Sequence, residues 1–215
     1  MIIAEPMTTL TDYALAGVTG WLAWSLFQSR EAETARSYWA AALMALAIAA
    51  MLGGTYHGFA PTLPQGALYL LWKATILAVG IGTFGMIVGS AIARTTGTLR
   101  KFVCLIAVAK LVVYSGWIVA HDDFIYVIAD SGIAMAMVGA LHARTALRQA
   151  DRASIWILGG IAVAVLAAIV QASDYRLHQH FGHNDLYHVI QIVAMWLLYR
   201  GARQLSDRPM STRLS

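Results

Sequence analysis

The stretch His183-Asn184-Asp185-Leu186-Tyr187-His188-Val189-Ile190-Gln191, HNDLYHVIQ, is where a polar, histidine-rich loop turns into the last apolar run of the chain. A helix beginning near Asn184 puts Asn184, His188 and Gln191 on one face at i, i+4 and i+7, with Asp185 one turn before His188. Polar and ionisable side chains at the mouth of an apolar helix are costly at membrane depth, so they mark a functional site by default. The rest of the chain decides whether a membrane surrounds them.

It does so by composition. Of 215 residues, 59% are hydrophobic and 12% charged, with a mean hydropathy of +0.64. A soluble domain carries about twice that share of charge. Each span needs about 20 apolar residues, and runs of that length fall at roughly 11–28, 37–58, 66–92, 101–120, 123–143, 153–173 and 184–203. These runs are too long and too continuously apolar for the strands of a membrane barrel. The sequence thus predicts an all-α integral membrane protein, a seven-helix transmembrane domain over residues 1–204 with a polar tail over 205–215. The opening MIIAEPMTTLTD has no basic segment and carries Glu5 and Asp12, so the first span is expected to be retained. Cys104 lies inside an apolar run and reads as a small hydrophobe.

Arginine placement sets the expected orientation. Arg30 and Arg36 follow the first span, Arg94, Arg100 and Lys101 the third, Arg144, Arg148 and Arg152 the fifth, and Arg200, Arg203, Arg208 and Arg213 the seventh. Opposite them stand Arg176 and the acids Glu5, Asp12, Asp122, Asp123, Asp174 and Asp185. The positive-inside tendency then places the N-terminus outside and the C-terminus in the cytoplasm. The net charge of +4 is a topology signal in this chain and does not point to nucleic acid.

That topology gathers the histidines. His57, His121, His178, His180, His183 and His188 all fall on the outer side, and His142 alone on the inner. His57 sits in GGTYHGF, whose glycines permit close approach. A lone histidine there would simply hydrogen-bond at headgroup level. In company with His188 and with His183 or Asp185, it would supply an open, catalytic-type zinc site. Asp174 is placed to orient a metal-bound histidine. His178 and His180 read as loop residues, and Asp122 and Asp123 as helix caps. Gly85 and Gly89 have the spacing of a close helix contact. Counting inward, Lys73 and Asp130 lie about seven residues deep and Lys110 about ten. A Lys110–Asp130 ion pair is the plain reading of two of them; a polar floor or proton path is the sharper one.

Seven spans, a histidine late in the second and a histidine motif opening the last resemble the superfamily that joins alkaline ceramidases with the adiponectin and progestin receptors. NDLYHV aligns with that group's HxxxH element, so His188 matches its second histidine and His57 the early-span histidine. Asn184 stands at the first HxxxH histidine, Gly53 at the usual serine, and no aspartate follows His57 in the third span. The resemblance implies a zinc-dependent hydrolase of a lipid amide or ester, a multi-pass protein of a bacterial inner membrane. Its metal ligands would be His57, His183 and His188, and Asp185 or Asp174 would handle protons. Its substrate and partner would be a membrane lipid. The alternative is a non-enzymatic membrane protein, receptor-like or a carrier using Lys73, Lys110 and Asp130; a haem bound by two outer histidines is a third reading.

Overall fold

The computed structural model describes residues 3–29, 33–173, 175–179 and 181–209. Seven helices make up the described chain: α1 (Pro6–Phe27), α2 (Thr34–Phe59), α3 (Gln65–Arg94), α4 (Gly97–Ala120), α5 (Ile125–Gln149), α6 (Arg152–Ala172) and α7 (His183–Ala202). Most of their ends lie within four residues of the runs read from the sequence, and local chemistry explains the breaks. Pro6 opens α1, where its missing N–H costs nothing. Gly97 at φ +57° makes the turn from α3 into α4. Ala150 leaves α5 in the left-handed region, and Asp151 caps α6 by accepting the Ser154 amide at 2.9 Å.

Five of these helices, α2 to α6, are long and apolar enough to cross a membrane. The outer surface of the bundle is itself apolar: Leu70, Val113, Val119 and Ile169 are all at least 60% exposed. Surface of that kind belongs against lipid. Inside, Leu22, Leu26, Trp39, Leu43, Met86, Ile87 and Leu198 form the core. Small residues bring α2 and α3 together, because a Cβ on Gly85 would stand 3.0 Å from the Tyr38 carbonyl oxygen and one on Gly89 would stand 2.8 Å from that of Ala35. The close helix contact expected of this glycine pair is therefore with α2. Helix α7 packs between α1 and α6, α5 bridges α3 to α6, and α4 rests on α3.

One end of the bundle is bound together by arginines. Arg94 pairs with Asp151 at 2.7 Å and donates to His142 Nδ1 at 3.1 Å, which the Ser154 hydroxyl also reaches at 2.8 Å. Burial works against the charged form of Asp151, yet the Ser154 hydrogen bonds and the Arg94 charge outweigh it and hold its carboxyl below the usual range. The segment after α7 closes over the same end. Arg36 donates to the Leu205 carbonyl at 2.7 Å, Arg100 to that of Arg208 at 2.7 Å, and Asp207 accepts the Thr34 and Ala35 amides at 2.9 and 2.8 Å. Asp207 is thus the N-terminal cap of α2, delivered from the far end of the chain.

Asp207→Ala is expected to cost about 1 kcal/mol, the worth of such a cap. Here too burial is outweighed by hydrogen bonds, from Ala35 and Thr34, so the native carboxyl lies below its ordinary value of 3.8. A depressed native pKa stabilises the fold above that ordinary value, and the contribution fades as pH falls through the native one. Unfolding midpoints of parent and variant in detergent should therefore differ at neutral pH and converge in strong acid.

Candidate functional site

The opposite end carries His57, His121, His183 and His188, and its centre is a contact between the first helix and the last. His188 on α7 puts Nε2 3.1 Å from Asp12 Oδ1 and Nδ1 3.0 Å from the Thr11 hydroxyl, both on α1. One turn away, the Asp185 carboxylate accepts the Thr8 hydroxyl at 3.0 Å and the Gly182 amide at 2.6 Å. Asp12, Asp185 and His188 are all buried. The second oxygen of Asp12, Oδ2, has no hydrogen-bond partner among the described residues, and neither has Gln191 Oε1. A buried carboxylate oxygen without a partner is costly, so its presence needs an explanation.

Helix α1 reaches this position because α2 lacks side chains where the two cross. A Cβ on Gly54 would stand 2.8 Å from Asp12 Cβ, and one on Gly58 would stand 2.7 Å from Thr9 Oγ1. The glycines of GGTYHGF therefore admit α1, where the sequence suggested room around the His57 imidazole. Gly53 leaves open the space beside the Asp12 carboxylate, whose oxygens would lie 3.9 and 4.0 Å from a Cβ there. His57 itself is partly exposed and faces Glu5, Nδ1 to Oε2 at 3.4 Å.

The residues expected to form the site do not meet in one cluster among the described residues. His188 is at the centre. His183 opens α7, five residues earlier and so about 140° around the helix; with Asp185, Thr8 and Glu5 it lines an open 330 Å³ cavity at the rim. His57 stays with Glu5. Among the described residues no three His, Cys, Asp or Glu side chains are gathered as a metal ion would require. Asp185, expected to handle protons, has both oxygens engaged in starting α7 and holding Thr8. Asp174 and His180 lie outside the described residues.

Asp12 is the residue that sequence reasoning missed, having placed it among outer acids. The signal lay in α1, whose inward face reads Thr8, Thr11, Asp12, Leu15 and Thr19. A polar stripe on an otherwise apolar helix points into the bundle when lipid is outside.

The deeper charges form a separate group. Lys110 pairs with Asp130 at 2.6 Å, and Thr83 links them, accepting from Lys110 at 3.1 Å and donating to Asp130 Oδ2 at 2.9 Å. The plain ion-pair reading describes this contact, on α3, α4 and α5. Lys73 instead reaches the end of α4, pairing with Asp122 at 2.5 Å and donating to the Val119 carbonyl at 3.2 Å. A lysine counted as deep in its own span snorkels to the surface.

Fold and site define an all-helical protein with several helices able to cross a membrane and one buried polar centre where its first and last helices meet. The chain belongs to DUF6962, a family of unknown function, whose model matches residues 7–207. No curated protein and no solved structure matches it.

Proposed function

We propose that all seven helices cross the membrane, with the N-terminus outside, and that the Asp12–His188 centre is the metal site of a hydrolase acting on a lipid amide or ester. The clustering of Arg94, Arg100, Arg152, Arg200 and Arg208 at one end supports the orientation. The observation that carries the chemistry is Asp12 Oδ1 at 3.1 Å from His188 Nε2. Two ligands of one tetrahedral zinc ion, each bonded at about 2.0 Å, stand about 3.3 Å apart. The Oδ2 of Asp12, without a hydrogen-bond partner among the described residues, and the space beside Gly53 fit the same ion.

Asp12 and His188 would hold the metal, with His57 completing the set in place of its contact to Glu5; this replaces His183 in the ligand set inferred from sequence. Bound there, zinc would supply the Lewis acidity that hydrolysis of an amide or ester needs. Thr11 fixes the imidazole through Nδ1, so that Nε2 stays directed at Asp12. Asp185 and Thr8 keep the start of α7 against α1, which holds the two ligands in register. Glu5, released from His57 at the rim, is the acid available for proton transfer.

A second reading draws on the absence of any three-ligand cluster among the described residues and on the satisfied state of both His188 nitrogens. In it, Asp12 and His188 clasp α1 to α7 in a non-enzymatic membrane protein. Elemental analysis of protein purified without chelators separates the two. Near one zinc per chain is expected in the parent and in His183→Ala, and little in Asp12→Asn or His188→Gln. Thr11→Val should weaken zinc binding about 10- to 100-fold. A parent without zinc, or one whose zinc survives His188→Gln, leaves the clasp.

A further inference from the structure

At the arginine end, α6 begins and α7 finishes side by side, and between them lies a 490 Å³ groove lined by Arg152, Ile155, Trp156, Arg200 and Gln204. The Arg200 guanidinium is stacked among indoles, 5.0 Å from the Trp156 ring centre and 5.2 Å from that of Trp196. The two indoles meet edge to face at 5.8 Å. Such stacking holds a cation in one orientation and leaves its N–H edges for another partner.

No described residue supplies an anion to use them. Among the described residues no carboxylate pairs with Arg152 or Arg200, and the nearest acid in sequence, Asp151, is engaged by Arg94 and Ser154. Two exposed guanidinium groups therefore line one groove without a counter-charge among the described residues. The groove is also placed at a boundary. Arg152 is the first residue of an apolar helix able to cross a membrane. Ile155, Trp196 and Val193, at 50%, 41% and 48% exposure, continue the apolar surface from the groove toward the middle of the bundle. On α7, Val193, Trp196 and Arg200 share one face.

We propose that this groove is a binding site for the phosphodiester headgroup of an anionic phospholipid. Arg152 and Arg200 take the phosphate, and the acyl chains lie along Ile155, Trp196 and Val193. The guanidinium fork suits a phosphate oxygen pair. The apolar continuation favours a lipid over free phosphate, and basic pockets between spans at the headgroup level bind such lipids in general.

Native mass spectrometry of the full chain, released from detergent with phosphatidylglycerol and phosphatidylcholine in equal amounts, tests this. The parent should retain phosphatidylglycerol preferentially. Arg152→Gln and Arg200→Gln should each lower that retention about fivefold, the worth of one basic residue at an anionic surface. Trp156→Leu should lower it with both charges kept, and Arg200→Lys should restore part of the loss in Arg200→Gln. Unfolding midpoints equal to the parent's keep a misfolded variant from counting. Equal retention of the two lipids, unchanged retention in the glutamine variants, or full displacement of phosphatidylglycerol by inorganic phosphate would overturn the proposal.

Discussion

Asp130→Asn is expected to destabilise the protein by about 3–5 kcal/mol, the cost of leaving one member of a buried ion pair unmatched. The carboxylate is 5% exposed as a residue and holds Lys110 at 2.6 Å and the Thr83 hydroxyl at 2.9 Å. The amide keeps the shape and one acceptor, but the Lys110 ammonium then stands among apolar helices without a counter-charge. Helix α4 feels the loss most, since its packing is chiefly with α3 and this pair is its buried polar tie to α5. Lys110→Met should cost a similar amount for the converse reason. The double variant Lys110→Met with Asp130→Leu should recover most of the loss, because an apolar pair of similar volume leaves no charge to compensate. Adding Asp130→Leu alone closes the cycle with Lys110→Met and the double variant, and unfolding of these proteins in mixed detergent then gives the coupling directly. Single variants as stable as the parent would deny the pair a structural role and direct attention to Asp130 as a carrier residue.

That pair was legible in the sequence, whereas the polar centre was only half so, and the difference is physical. Lys110 and Asp130 are isolated charges inside long apolar runs, and such charges have few stable arrangements besides each other. The helices were legible for the same reason: an apolar run of span length leaves the backbone no alternative to helix. His188 and Asp185 were found because they interrupt the last run. Asp12 was not, since an acid near the start of a chain reads equally well as a solvated loop residue. What distinguishes it is the spacing of Thr8, Thr11, Leu15 and Thr19 around it, and the missing side chains of Gly53 and Gly54 on another helix. The second feature is a tertiary complementarity that no local pattern encodes. His57 turned to Glu5 and His183 at the rim do not cluster with His188 for a further reason. Sharing one end of a bundle fixes depth, and convergence also needs helix rotation, which depends on packing.

Rotation and tilt of α7 are set by glycine, and Gly201→Val should therefore be among the most damaging single changes in the chain. A Cβ at Gly201 would stand 2.5 Å from Ile157 Cγ1, 2.8 Å from the Ala153 carbonyl oxygen and 3.0 Å from the Ile157 amide nitrogen. Across the same contact, a Cβ at Gly160 would stand 2.7 Å from Leu198 Cγ and 3.0 Å from the Leu198 nitrogen. Side chains can move aside, but two helix backbones cannot do so without parting. Gly201→Ala should cost about 1–3 kcal/mol, the usual range for overpacking, and the branched valine more. Gly159→Ala is the matched control: nothing lies within 4 Å of its Cβ position, and it should stay within about 1 kcal/mol of the parent. The consequence extends to the other end of the bundle. His188 lies about 20 Å further along α7, so a small tilt at Gly201 is magnified at the 3.1 Å contact with Asp12. If the proposed zinc site exists, Gly201→Ala, where it still folds, should then lose zinc out of proportion to its loss in unfolding midpoint, while Gly159→Ala keeps both. Equal tolerance of alanine at the two positions would mean that α6 and α7 do not approach backbone to backbone, and the positioning of His188 would have to come from α1 alone.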